Sequence, residues 1–206
     1  MNSPIDFYFD FSSPYSYCAS TRVDALGAEL GRAVRWHPIL LGPVFKQIGV
    51  VPLVDVPIKG RYALHDFART AALFDIPYVH PQKFPVATIG AARAMLWIDA
   101  QHGAAKAREF AHAVFHAYFA AGQDISQPET VLAVARSAGL NADAVTQGMQ
   151  QDDIKAALKS GIEAATARGV FGAPFIFIDD EPFWGFDRFD YIRRWLQRRG
   201  PGAAAN

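Results

Sequence analysis

The chain has 206 residues, 51% of them hydrophobic, and its 20 Lys and Arg balance 20 Asp and Glu. That supports one large domain, or a domain with an insertion, and argues against nucleic acid or an anionic membrane surface as the main partner. The single cysteine, Cys18, excludes an intrachain disulfide and a cysteine-based zinc cluster and points to a reducing, cytoplasmic setting; no stretch is apolar enough to span a bilayer, and Met1-Asn2-Ser3-Pro4 lacks the layout of a signal peptide.

In chain order, Ile5, Phe7, Phe9 and Phe11 recur at period two and predict a first strand. A helix is predicted over 14–31, with Tyr17, Val23, Leu26 and Leu30 among its apolar positions and Gly31 as its stop. Residues 33–41 read as a second strand, so the chain opens β-α-β, an order that a right-handed crossover joins in parallel. Residues 42–58, rich in Gly, Pro and Val, predict a short helix and a loop. From Lys59 to about Arg168 the pattern is helical, with candidate helices at 60–75, 87–102, 105–121, 128–138, 141–148 and 151–168. Residues 175–178, the turn Asp179-Asp180 and residues 181–184 form a hairpin signal. Asp187 then caps a last helix from Arg188 to about Arg199, ahead of a frayed tail at 202–206.

Ser13-Pro14-Tyr15-Ser16 stands where the first strand gives way to the first helix. Pro14 suits the first helical position and pushes Ser13 into the extended conformation of an N-cap. A thioredoxin-like fold carries its Cys-x-x-Cys redox pair at such a junction; here both cysteine positions are serine. A hydroxyl beside unpaired helix amides can hold an anion, although on spacing alone a plain capping serine is the commoner meaning.

Other candidates also have ordinary alternatives. In Gly169-Val170-Phe171-Gly172-Ala173-Pro174-Phe175, a cis bond before Pro174 would turn the Ala173 backbone toward an extended peptide-like ligand, whereas a trans proline opening a strand would not. Asp187 and Arg188 suit a ligand ammonium and carboxylate, or a simple cap and a solvated cation. Lys46 and Lys59 bracket the variable loop, and either can neutralise a carboxylate or merely be solvated. His112 and His116 lie four apart but lack a metalloprotease glutamate, which favours ordinary surface or core histidines. Arg193, Arg194, Arg198 and Arg199 suit the negative end of the last helix, and Cys18 reads as a buried structural thiol.

Taken together, Phe9-Asp10-Phe11-Ser12-Ser13-Pro14-Tyr15-Ser16-Tyr17, Gly172-Ala173-Pro174 and Pro182-Phe183-Trp184-Gly185-Phe186-Asp187-Arg188 closely resemble the 2-hydroxychromene-2-carboxylate isomerases, which group with kappa-class glutathione transferases and DsbA-type oxidoreductases. The resemblance runs nearly end to end. It implies an α/β thioredoxin-like fold (β-α-β … β-β-α) at 1–41 and 169–206, with a large all-helical insertion at 42–168. It also implies bound glutathione, with Ser13 at the sulfur and Pro174 at the cis-proline position. The Ala173 backbone would pair with the tripeptide, Asp187 and Arg188 would lie at its γ-glutamyl end, and Lys59 and Lys46 would be its lysines. The implied activity is glutathione-dependent cis–trans isomerisation of a small aromatic-degradation intermediate by a homodimer. A kappa-like transferase and a non-catalytic thiol-binding module are the alternatives, and the two serines disfavour a disulfide oxidoreductase. Val50 and Phe186 depart from the family pattern, at positions where relatives carry Asn, or Asn or Ser.

Overall fold

Ile5–Phe9 (β1), Val34–Pro38 (β2), Phe175–Ile178 (β3) and Glu181–Trp184 (β4) form one sheet in the order β2-β1-β3-β4. The structure is a computed structural model and describes residues 3–199. The fold is thioredoxin-like, an α/β core joined to a large helical block. β1 pairs parallel to β2, with Phe7 opposite Trp36, and antiparallel to β3, with Phe7 opposite Ile176. The β3–β4 hairpin turns through Asp179 and Asp180, both at positive φ, as a tight hairpin turn requires.

Every residue of β1 is buried, because helices cover both faces of the sheet. Phe7 and Phe9 face the larger core; Tyr8, Phe175 and Phe177 face a second cluster with Val44 and Ala165. Asp6 is only 4% exposed in this central strand. Its carboxylate accepts from Arg35 at 2.8 Å and Arg168 at 2.7 Å and meets His37 at 2.8 Å, the pairing that makes such burial tolerable. Burial pushes its pKa up, but the bonds from Arg168, His37 and Arg35 prevail and hold it at about 2.

The predicted helix over 14–31 is two helices, Pro14–Ser20 (α1) and Val23–Glu29 (α2). Ser20 and Thr21 return their hydroxyls to the carbonyls of Tyr17 and Cys18, and such local bonds compete with helix propagation. The second strand is shorter than expected, since Leu41 already opens Leu41–Ile48 (α3). The helical stretch follows as Lys59–Leu73 (α4), Ile89–His102 (α5), Ala104–Phe119 (α6), Pro128–Ser137 (α7), Ala142–Gly148 (α8) and Asp152–Ala167 (α9). The last helix, Phe189–Arg199 (α10), begins later than predicted. Asp187 lies inside a one-turn 3-10 segment, Phe186–Arg188, ahead of it. The expected frayed tail at 202–206 lies outside the described residues.

An aromatic seam joins sheet and helical block into one core. Phe115 on α6 lies 5.6 Å from Phe9 and 5.0 Å from Phe11, and Phe119 stacks on Tyr17 at 5.5 Å. Aromatic pairs at these separations add to the burial of their area. The Val44 and Ala165 that cover the second face come from α3 and α9, so segment 42–168 packs directly on the sheet.

Candidate functional site

The loop after β1, α1, α3, α4, the end of β4 and the segments at 50–56, 84–86, 171–174 and 185–188 surround a cleft of about 1130 Å³. Pockets for drug-sized ligands usually span about 300–1,000 Å³, so this one has room for a tripeptide and a second small molecule.

Ser13 lies on the cleft floor, 5% exposed, in the extended conformation of an N-cap (φ −96°, ψ 115°). Its Oγ accepts from Ser16 N at 3.1 Å and donates to Ala173 O at 2.9 Å. The bond between Ala173 and Pro174 is cis, and both residues line the cleft. Counting the first-turn donors of α1 shows what remains for a ligand. Pro14 has no N–H, Ser16 N–H goes to Ser13 Oγ and Tyr17 N–H goes to Ser13 O. Tyr15 N–H alone has no intramolecular acceptor among the described residues. The expected row of unpaired amides is therefore a single donor beside a hydroxyl. Ser16, the second serine of the pair, is fully buried and does not line the cleft.

At the rim, Ile58 adopts a left-handed backbone (φ 69°) that turns the chain into α4, so that Lys59 opens the helix facing the cleft. Asp187 and Arg188 also line the cleft, paired with each other at 3.4 Å. Lys46 sits in the exposed last turn of α3 and does not line the cleft. Two glycines matter. A Cβ at Gly172 would stand 2.6 Å from the Trp184 indole nitrogen. Gly185 has φ +112°, and a Cβ there would stand 2.4 Å from a carboxylate oxygen of Asp187. The two departures from the family pattern both face the cleft: Phe186, largely buried against Phe74 and Phe189, lines it, and Val50 joins its apolar wall. Phe45, Ile48, Val51, Leu53, Leu73 and Phe74 continue that wall; Leu73 is 73% exposed. Open apolar surface of this kind is where ligands or partners dock.

Sequence reasoning missed two carboxylates. Asp10, 4% exposed, accepts from Ser12 N at 2.8 Å, Leu41 N at 2.7 Å and Thr88 Oγ1 at 2.8 Å. It ties the serine loop, the start of α3 and the residue preceding α5 to one point. Burial raises its pKa, opposed by those three bonds. Its signal was legible: an acid within Phe9-Asp10-Phe11 is costly to bury unless it has donors. Asp66 on α4 also lines the cleft. It accepts from the Tyr15 hydroxyl and from Arg69, which in turn donates to Tyr62 Oη at 3.0 Å.

Of the remaining candidates, Cys18 is 2% exposed and its thiol is pushed up to about 12, mainly by burial. His112 packs on Trp36 at 5.0 Å and lies 3.9 Å from Asp24. Arg193 pairs with Glu29 at 2.9 Å.

Known proteins share this sequence and fold along most of the chain. The DSBA-like thioredoxin domain model matches residues 4–197. A 2-hydroxychromene-2-carboxylate isomerase of Sphingobium xenophagum is 30% identical over 95% of this chain and 99% of its own length. A glutathione S-transferase kappa 1 of Caenorhabditis elegans is 28% identical over 96% of this chain and 92% of its own. A solved 2-hydroxychromene-2-carboxylate isomerase superposes with a TM-score of 0.83 at 31% identity, covering 94% of each chain.

Proposed function

From the premise that the chain belongs to the DSBA-like thioredoxin family, with homology to its 2-hydroxychromene-2-carboxylate isomerases and kappa-class glutathione transferases, we propose that it is a glutathione-dependent isomerase of 2-hydroxychromene-2-carboxylate or a related unsaturated intermediate of aromatic degradation. The observation that carries this reading is the Ser13 hydroxyl bonded to Ala173 O on the floor of a cleft large enough for two ligands.

The donor set suits glutathione. Its thiol needs a donor near Ser13, its carboxylates need cations, and its ammonium needs an acid. Lys59 and Arg188 supply the cations and Asp187 the acid, all on the cleft's rim. When bound, glutathione would supply the nucleophilic sulfur and be recovered at the end of each turnover.

The chain's own residues would do the rest. The single proton of Ser13 is directed at Ala173 O. That carbonyl has a second lone pair for a ligand's peptide N–H, and a sulfur anion beside Ser13, a stronger acceptor than a carbonyl, would draw the hydroxyl proton toward the cleft. There the hydroxyl and Tyr15 N–H together favour a sulfur anion over a thiol, and each unit of lowered pKa corresponds to about 1.4 kcal/mol. Lys59, Asp187 and Arg188 orient the tripeptide, and the wall from Phe45 to Leu53 excludes water from the apolar partner.

The test is turnover of 2-hydroxychromene-2-carboxylate with and without glutathione, with chromatography of products and thiol. The reading expects isomerised product, strict dependence on glutathione and an unchanged glutathione total. Stoichiometric loss of glutathione into an adduct would instead make the protein a transferase, and tight binding without turnover would make it a binding module. A homodimer in the cytoplasm belongs to the same proposal, and light scattering checks the dimer.

A further inference from the structure

Within the same cleft, Tyr15 on α1 and Asp66 on α4 face each other, and the Tyr15 hydroxyl donates to Asp66. Asp66 is held from its other side by Arg69, itself bonded to Tyr62 at 3.0 Å. Tyr15 is fixed as a ring by an edge contact with Phe67 at 4.9 Å. A phenol has one proton and two lone pairs. With its proton committed to the carboxylate, Tyr15 has only lone pairs left for a ligand.

We propose that Tyr15 is a specificity-determining residue of the second subsite, an acceptor-only contact that selects ligands carrying a hydroxyl hydrogen-bond donor over their ethers. The inference rests on the cleft's being a ligand site and deepens the reading above. Three features support it. The hydroxyl–carboxylate bond polarises the phenol oxygen and strengthens it as an acceptor. Burial, and after it the bond to Asp66, pushes the Tyr15 pKa up, so the group stays a neutral phenol across ordinary pH. Asp66 itself is held below its ordinary value: burial raises it, but the bonds from Tyr15 and Arg69 outweigh burial, so the carboxylate remains charged and keeps Tyr15's proton. A ligand carboxylate at this point would meet two oxygen acceptors and a negative charge, so the ligand's acidic group belongs elsewhere in the cleft.

The experiment is equilibrium titration of the full chain with 1-naphthol and with 1-methoxynaphthalene, which share a ring system and differ in the donor. The wild type should bind the naphthol about tenfold more tightly than the ether, the size of one net hydrogen bond. Tyr15→Phe should bring the two affinities level while leaving thermal stability within a few degrees. Asp66→Asn, which weakens the hold on the phenol proton, should also shrink the ratio by letting Tyr15 donate to the ether oxygen. Equal affinities in the wild type, or an unchanged ratio in either variant, would overturn the proposal. Glutathione affinity measured on the same samples reports separately on the cofactor reading, so the two can fail independently.

Discussion

The Ser13 hydroxyl has two duties in the described geometry: it caps Ser16 N and donates to Ala173 O. Loss of a cap costs about 1 kcal/mol, whereas loss of a donor aimed at a developing anion costs about 10²-fold in rate. Ser13→Ala is therefore expected to lower glutathione-dependent kcat by about two orders of magnitude with only a small fall in Tm. Steady-state kinetics and thermal melts on the same sample separate the two effects. Asp10 should behave in the opposite way. Asp10→Ala leaves two buried donors and one half-buried donor without an acceptor and should cost several kcal/mol, on the order of 3, read as a lower urea midpoint; a midpoint within experimental error of the wild type would contradict its role. These two residues also mark the limit of sequence reading. Ser13, Ala173, Pro174 and the Asp187-Arg188 pair lie in short motifs that consecutive letters single out as candidates, each beside an ordinary alternative. Asp10 and Asp66 find their partners 78 and 51 positions away in Thr88 and Tyr15, and no local pattern reports such a pairing.

At the scale of elements, the period-two and helical patterns located the strands and helices well, because burial of one face governs both. The failures were at boundaries set by side chains rather than by periodicity. The Ser20 and Thr21 hydroxyls split the first helix, and Asp10 draws Leu41 into α3. The segment from Gly185 to Phe189 is the boundary that bears on the proposed glutathione site. Gly185 is held at φ +112°, and an added Cβ would collide with Asp187. Gly185→Ala should therefore move Asp187 and raise KM for glutathione several-fold while leaving kcat near wild type. A variant with unchanged KM would remove Asp187 from the tripeptide's site.

For the molecule as a whole, the two central strands are buried, and their one acid makes stability depend on pH. Asp6 titrates at about 2 when folded, against 3.8 ordinarily. Its folded pKa lies below its unfolded one, so its contribution of about 2 kcal/mol is complete above about pH 5 and is lost as pH falls through about 2. His37 acts in the same direction, since burial lowers its pKa despite the carboxylate beside it. Urea denaturation at a series of pH values should show a steep acid limb in the wild type and a flatter one in Asp6→Asn, which should also be less stable at pH 7. Parallel curves would contradict the assignment. Composition and periodicity could not reveal this cluster, because Asp6, Arg35, His37 and Arg168 meet only once the sheet and α9 have packed.

The most direct measurement is a thiolate-absorbance titration of glutathione bound to the wild type and to Ser13→Ala. If Ser13 stabilises the ligand's sulfur anion, the bound thiol should titrate at least one pH unit below the free tripeptide in the wild type, and most of that difference should vanish in the variant. A bound thiol that titrates like free glutathione, or identically in both proteins, would contradict the account.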